Sequence, residues 1–581
     1  MINILKSYFK LFNYNQKRNF FLVFFILLLS IFFELLSFAL LLPLISNMFS
    51  LEYTENLYFF KFLDNLVDYI FSMLNFLFNY QLSSISNAKL FLLLIIMVVV
   101  FFIKAAFLTF SVYVQARYTW NLQLYFSSKL FNSYLHKTYL FHKNTNSSIL
   151  IRNVTSEINN FSKCIVSILN IFVDFILLAF LFLLIFLNSS LYNIFSILFI
   201  GIIIIIFYNL FKKYIEKLSL IRINNDKLRL QSLYESFSNI KNILLDANQK
   251  FSLKFFFQYS KNLSNTMASI QFVKSIPKHW IEFLAVFFLF IFILISFKFV
   301  NNNDDAILII SLVILVFLRS IPIFLKLLSN FQSIQFLKPS IDVINNDLSR
   351  YKIQEKNKNK FSFKNSLIFK NVNFYYNEDK NILKNFNYTF LSKKKYGIYG
   401  MSGSGKSTLV DLITGLILPK SGSICADDKS LEKIINSWQN SIGYISNTNF
   451  LPDTSILNNI TYGIEENDID IKKANNLLKL VNMYDFCIKL PNGINTFVGE
   501  GGAKLSSGQK QRLSIARVLY NDPEILILDE ATNSLDKKNE KLIFDIVYNI
   551  KNLKLLIIVS HDINNLNKCD YLINIEDYTN N

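Results

Sequence analysis

Up to about Leu328 the chain runs in long apolar stretches separated by short polar ones, and beyond Lys360 it changes to short apolar runs among turns and charges. Six stretches, Phe20–Met48, Lys89–Ala116, Cys164–Leu187, Tyr192–Phe211, Trp280–Phe297 and Ala306–Leu328, are each near the ~20 residues a helix needs to cross the hydrocarbon. They predict six transmembrane helices. After the polar stretch 346–360, strand-like runs such as Tyr396–Tyr399, Ile525–Leu528 and Leu555–Val559 mix with turns and charges as in a globular domain. The pattern divides the chain into a helical domain at 1–345, a linker at 346–360 and an α/β domain at 361–581.

Composition agrees. With 52% apolar residues and 61 Phe among 581, and a mean hydropathy of +0.34, the chain is too apolar for an ordinary soluble enzyme. The formal charge of +18 lies mainly between and beside the apolar stretches, which favours orientation on an anionic inner leaflet over nucleic-acid binding. Lys6, Lys10, Lys17 and Arg18 precede the first stretch, no small-residue cleavage site follows it, and it is expected to stay as an anchor.

Loop charge sets the topology. Glu52, Glu55, Asp64 and Asp68 outnumber Lys61 between the first two stretches, whereas Arg117, Lys129, Lys137, Lys143 and Arg152, then Lys212, Lys213, Lys217, Arg222, Lys227 and Arg229, follow the second and fourth. The basic loops face the cytoplasm, and an even number of crossings returns the α/β domain to that side. The aromatic-rich segment 51–85 reads as amphipathic helix in the outer interface; a seventh crossing there would place Asp64 and Asp68 in hydrocarbon. Cys164, Cys425, Cys487 and Cys569 are scattered and show no metal-type spacing.

The chemistry is concentrated in the α/β domain. Gly400-Met401-Ser402-Gly403-Ser404-Gly405-Lys406-Ser407-Thr408 follows a strand-like run and opens a helix, the context a phosphate-binding loop requires. Its glycines let backbone N–H groups converge on anionic oxygens, Lys406 adds a point charge, and the Ser407 hydroxyl suits magnesium. Asp529 ends an apolar strand where a carboxylate can coordinate magnesium, and the adjacent Glu530 is placed to polarise a water as general base.

Together with Leu505-Ser506-Ser507-Gly508-Gln509, these motifs resemble the ATP-binding cassette (ABC) family. The resemblance implies a polytopic α-helical membrane domain of exporter type fused to an α/β P-loop cassette that hydrolyses ATP with Mg2+. It further implies that Tyr376 stacks on adenine, that His561 contacts the γ-phosphate, and that Asp536 touches an opposing subunit. Asn447 stands where the family has a magnesium-reporting glutamine, and Ser507 replaces the first glycine of the usual signature. Val498-Gly499-Glu500-Gly501-Gly502 resembles a loop of exporters rather than importers, and Glu235–Lys241 resembles their transverse coupling helix; a solvated turn is the plainer reading of the latter. Because such a family binds ATP between one cassette's phosphate loop and another's signature (Ser506, Ser507, Gly508 and Gln509), a single copy of each motif implies a homodimer.

Charges within the spans point to the cargo. Lys104 lies about 21 Å into the second stretch at 1.5 Å per residue, Arg319 has similar depth, and Lys278 stands at the cytoplasmic mouth of the fifth; such charges mark pathways. Lys278 pairing with Glu282, or Lys104 snorkelling, would be the structural alternative. Phe33-Glu34-Leu35, Ile276-Pro277-Lys278 and Leu318-Arg319 with Pro322 resemble the bacterial flippases that move lipid-linked oligosaccharides for protein glycosylation, as in Campylobacter. That resemblance implies a multi-pass inner-membrane protein carrying a polyprenyl-pyrophosphate-linked glycan outward. Export of lipid A, other lipids, peptides or drugs, and an ATP-gated regulator or channel, are the alternatives; Glu530 argues against the last.

Overall fold

The computed structural model describes residues 2–41, 44, 65, 68–70, 72–73, 88–188, 192–299, 303–349, 359–376, 381–446, 450–532, 537–550 and 552–578. Most of the 51–85 segment, the later part of the first apolar stretch, and Asn447 and Asp536 lie outside the described residues. The chain separates into two compact units, residues 1–137 with 144–353, and residues 138–143 with 354–581.

The first unit is helical. Its helices are α1 (Ile2–Leu11), α2 (Tyr14–Ala39), α3 (Ala88–Leu135), α4 (Tyr139–Asn144, all but its last residue belonging to the second unit), α5 (Ser147–Arg152), α6 (Ile158–Asn188), α7 (Tyr192–Ser238), α8 (Ile240–Leu245), α9 (Gln249–Phe299) and α10 (Asn303–Ser349). Among the described residues, Phe20–Ala39 of the first apolar stretch falls on α2, and the other five stretches fall on α3, α6, α7, α9 and α10. Among the described residues, Tyr14–Ser37, Leu90–Leu135 and Ser147–Leu181 are long and apolar enough to cross a membrane. Several helices exceed a bilayer: α3 has 48 residues and α9 has 51, against the ~20 that a crossing uses.

Those extensions carry a mixed core. Leu122, Phe126, Leu130, Phe161 and Ile344 are fully buried, and Tyr8 packs on Phe161 at 4.4 Å between ring centroids while donating its hydroxyl to the Phe161 carbonyl at 3.1 Å. A buried polar node sits beside them. Glu157, ending the π-helical turn Asn153–Glu157, receives Arg222 at 3.2 Å and the Ser340 hydroxyl, with Arg152 at 3.8 Å. A fully buried carboxylate is tolerable because opposite charges and a hydroxyl donor surround it.

Two details differ from the sequence reading. Asn239, at φ −108° and ψ 22°, interrupts the helix so that the separate short helix is Ile240–Leu245, while most of Glu235–Lys241 continues α7. At the other end α10 runs to Ser349, past Asn345, because Ile344 and Leu348 are buried and Asp347 accepts the Tyr134 hydroxyl at 2.5 Å.

The second unit has two sheets. An antiparallel sheet runs β2 (Asn381–Leu391), β1 (Ser366–Tyr375), β4 (Ser421–Ala426), β5 (Lys429–Ser430). A parallel sheet runs β6 (Ile442–Ser446), β7 (Ile525–Asp529), β8 (Leu555–Val559), β3 (Lys394–Tyr399), β9 (Tyr571–Asn574). The unbroken apolar runs of β7 and β8 are explained by burial on both faces, as parallel strands require. Ile525 and Ile527 join one core with Phe369, Leu409 and Trp438, while Leu526 and Leu528 join another with Leu478, Leu513 and Ile543. Leu140, from the segment 138–143, packs against the first of these cores.

Candidate functional site

Strands β3, β7 and β8 end side by side, and the loops leaving them carry the reactive groups. After β3 the phosphate loop bends through Gly403 at φ +84° and Gly405 at φ +95° into α11 (Lys406–Ile413). An added Cβ at Gly400 would meet Ile575 at 2.8 Å and the Ser404 hydroxyl at 2.9 Å, so the loop's path needs glycine there. Lys406, nearly buried, donates to the carbonyls of Gly400 and Met401 at 2.9 Å each.

Opposite Lys406, Glu530 holds φ +50°, the left-handed region rarely taken by non-glycine residues. Its amide donates to the Val559 carbonyl at 3.1 Å. Its carboxylate meets His561 Nε2 at 2.6 Å and lies 3.9 Å from Lys406 Nζ, while His561 Nδ1 is 3.4 Å from that ammonium. Asp529 accepts the Tyr444 hydroxyl at 3.0 Å. Burial raises its carboxyl above the usual range, partly offset by the Tyr444 hydrogen bond. Burial lowers the Lys406 ammonium, with Glu530, Asp529 and Glu576 acting in the opposite sense.

The base-stacking candidate is held from two sides. Tyr376 lies with its hydroxyl 3.5 Å from Thr408 Oγ1, and Lys143 donates to that hydroxyl at 2.9 Å with its ammonium 4.1 Å from the ring centroid. The signature forms a capping box: Ser506 Oγ accepts the Gln509 amide at 3.3 Å and Gln509 Oε1 accepts the Ser506 amide at 2.8 Å, opening α16 (Ser507–Tyr520; α12 to α15 are Leu431–Asn440, Ile456–Ile460, Ile471–Leu480 and Tyr484–Ile488). Ser507, the departure from glycine, is simply the first helical residue. Among the described residues, no hydrogen bond or ion pair joins Ser506–Gln509 to the phosphate-loop group.

The loop fits a polyphosphate. Among the described residues, the buried Ser404 hydroxyl has no hydrogen-bond partner and a side chain at Gly403 would meet nothing within 4 Å, while Lys406 turns back onto its own loop's carbonyls. Ser407 and Asp529 supply the hydroxyl and carboxylate oxygens that magnesium prefers, and a few protein ligands suffice because the ion keeps several waters.

A protein of Rickettsia bellii described as "Putative export ATP-binding/permease protein" is 30% identical over 444 residues, covering 74% of this chain and 75% of that one. The chain belongs to the ABC transporter family. The family profile described as ABC transporter matches residues 383–533, the phosphate loop through Asp529 and Glu530. The human ATP-binding cassette sub-family B member 5 is 35% identical over 243 residues, 41% of this chain but only 18% of that protein. The fold also matches the solved structure of a bacterial Atm1-family ABC exporter with ATP bound, at a TM-score of 0.79 and 17% identity over 97% of this chain and 95% of that one.

Three residues at the family site were not legible in the sequence. Lys143, Tyr444 and Glu576, the last accepting the Met401 amide at 2.5 Å, reach it from 233, 85 and 175 positions away. In the membrane unit, the three basic residues have different fates. Lys104 donates to Ser37 at 2.8 Å, Arg319 pairs with Glu34, and Lys278 lines a cavity. Among the described residues, Lys278 makes no ion pair with Glu282.

Proposed function

We propose that this ABC protein is an ATP-driven exporter that works as a pair of identical copies in a bacterial inner membrane. Its proposed cargo is a polyprenyl-pyrophosphate-linked oligosaccharide, moved from the cytoplasmic to the outer leaflet. The observation that carries the reading is the Lys406–His561–Glu530 cluster beside Asp529, which places a cation, a base and a metal-seeking carboxylate on one edge of a parallel sheet.

In this reading the backbone of Gly400–Gly405 and Lys406 hold the phosphates, Thr408 closes the loop, and Tyr376 stacks on the base. Ser407, Asp529 and Asn447 hold magnesium, which when bound neutralises phosphate charge. Glu530 accepts the proton of the attacking water, and His561, hydrogen-bonded to it, fixes the carboxylate's orientation. Ser506–Gln509 and Asp536 meet the nucleotide of the partner copy, so each site is completed across the pair.

The lipid-linked cargo rests on the basic groups of the membrane unit, Lys278 above all; the exporter-type relatives support export and name no such cargo. The deciding experiment is ATP turnover and leaflet accessibility in proteoliposomes with a polyprenyl-pyrophosphate glycan, lipid A or hydrophobic drugs. Stimulation and transport by the first alone support the reading, and an equal response to drugs or lipid A overturns the cargo assignment.

A further inference from the structure

A cavity of about 550 Å³ lies among helices α2, α3, α6, α9 and α10. Its charged lining is uneven: Lys274, Lys278 and Lys326 against Glu34 and Asp174. Glu34 is already paired with Arg319. Three ammonium groups therefore share one uncommitted carboxylate, Asp174, which lies near Lys326 and 3.5 Å from the Asn330 amide nitrogen. Lys274 donates to the Ser333 hydroxyl at 2.9 Å. Among the described residues, neither Lys278 nor Lys326 has an ion pair within 4.0 Å. Uncompensated cations at a membrane boundary are costly unless they meet water or an anion.

The position adds a second argument. Lys278 stands just before the stretch Trp280–Phe297, Lys326 lies near the cytoplasmic end of Ala306–Leu328, and Gln115 near that of Lys89–Ala116. All three belong at the inner-leaflet headgroup level. The amides of Gln115 and Asn170, joined at 2.6 Å, and of Asn330 line the same space. Leu27, Ile31, Leu108, Val112 and Leu177 supply an apolar wall. Cations and amides beside an apolar wall suit an anionic head attached to a hydrocarbon tail.

We propose that this cavity receives the phosphate-bearing head of a membrane amphiphile, with Lys278 and Lys326 as the anion contacts and the three amides meeting oxygen groups next to the phosphate. The proposal deepens the exporter reading and rests on it for physiological meaning. It replaces Lys104 and Arg319, which are engaged by Ser37 and Glu34, with Lys326 as the partner of Lys278.

The test is ligand-dependent thermal stabilisation of the full-length protein, without ATP and in a Lys406→Ala background so that the phosphate loop does not contribute. The probes are farnesyl pyrophosphate, farnesol and inorganic pyrophosphate. Farnesyl pyrophosphate should stabilise the protein and farnesol should not. Lys278→Gln with Lys326→Gln should raise the concentration needed about tenfold, a loss equivalent to about 1.4 kcal/mol. Asp174→Asn should lower it about threefold by removing the opposing charge, which keeps the test decisive should the double variant misfold. Unchanged concentrations in these variants would overturn the site. Equal stabilisation by inorganic pyrophosphate would overturn the lipid-headgroup source. Failure of the exporter reading is separable: it shows as absent transport and absent ATPase stimulation in proteoliposomes while lysine-dependent binding persists.

Discussion

The ammonium of Lys143 stands over the hydroxyl edge of the Tyr376 ring, 2.9 Å from the oxygen and 4.1 Å from the centroid. The segment that carries it is bounded on both sides by residues of the helical unit but belongs to the cassette unit. Burial lowers the lysine's proton affinity, but the Tyr376 hydroxyl and the Asp411 carboxylate more than compensate, so the net direction is upward and the cation is retained at neutral pH. Lys143 is thus a positioning residue for the Tyr376 ring, the ring proposed above to stack on the base. Lys143→Ala should raise KM for ATP about three- to tenfold with little change in kcat, the loss expected for a cation–π contact of about 1 kcal/mol. Lys143→Arg should recover most of the loss in the same ATPase titration.

Glu530→Gln removes the proposed proton acceptor while keeping the side chain's size and its place beside His561. ATP turnover should fall by about 10²–10⁴-fold, the usual contribution of a general base, with nucleotide still bound. Phosphate release measured alongside retention of labelled ATP separates this from a folding defect. Turnover within a few-fold of the parent would remove Glu530 from the proposed role.

Asp411 follows the phosphate loop on α11, and burial pushes its carboxyl up to about 6, with Lys143 opposing and Asp529 adding to the shift. The acid binds its proton more tightly folded than unfolded, so its destabilising effect is complete above about pH 6 and fades as the pH falls toward its ordinary value of 3.8. Asp411→Asn should therefore raise the thermal midpoint at pH 7.5 by an amount equivalent to about 1–3 kcal/mol. The gain should vanish near pH 4. A gain independent of pH would refute the electrostatic explanation.

Glu157 is fully buried between Arg222, Arg152 and Ser340. Glu157→Ala leaves two buried guanidinium groups without their carboxylate, which should destabilise the helical unit by about 3–5 kcal/mol. Glu157→Gln, which keeps an acceptor oxygen, should lose less. Thermal unfolding of the purified protein followed by helical circular dichroism distinguishes the two.

The sequence disclosed what is local. The phosphate loop, the Asp529–Glu530 pair and the signature are contiguous, and their chemistry requires specific residues at fixed spacing, so the cassette could be read without coordinates. The long helices were equally visible because apolar length has few other meanings. The misreadings came from polar residues whose partners are distant: Asp347 looks like linker, yet the Tyr134 hydroxyl holds it within a helix. Tyr444 and Glu576 escaped notice for the same reason, since nothing near them in the chain announces Asp529 or the loop amide they serve. Lys278 was visible as a charge, but the company of Lys326 and Asp174 emerges only when five helices converge.

Because residues 138–143 fold with the nucleotide-binding unit and Leu140 packs against its core, a recombinant fragment cut near Gln354 would be an incomplete protein. It would lack one apolar contact and the cation on Tyr376, and its nucleotide affinity would describe the truncation rather than the whole chain. A faithful soluble fragment would need those six residues restored as a tethered or added peptide.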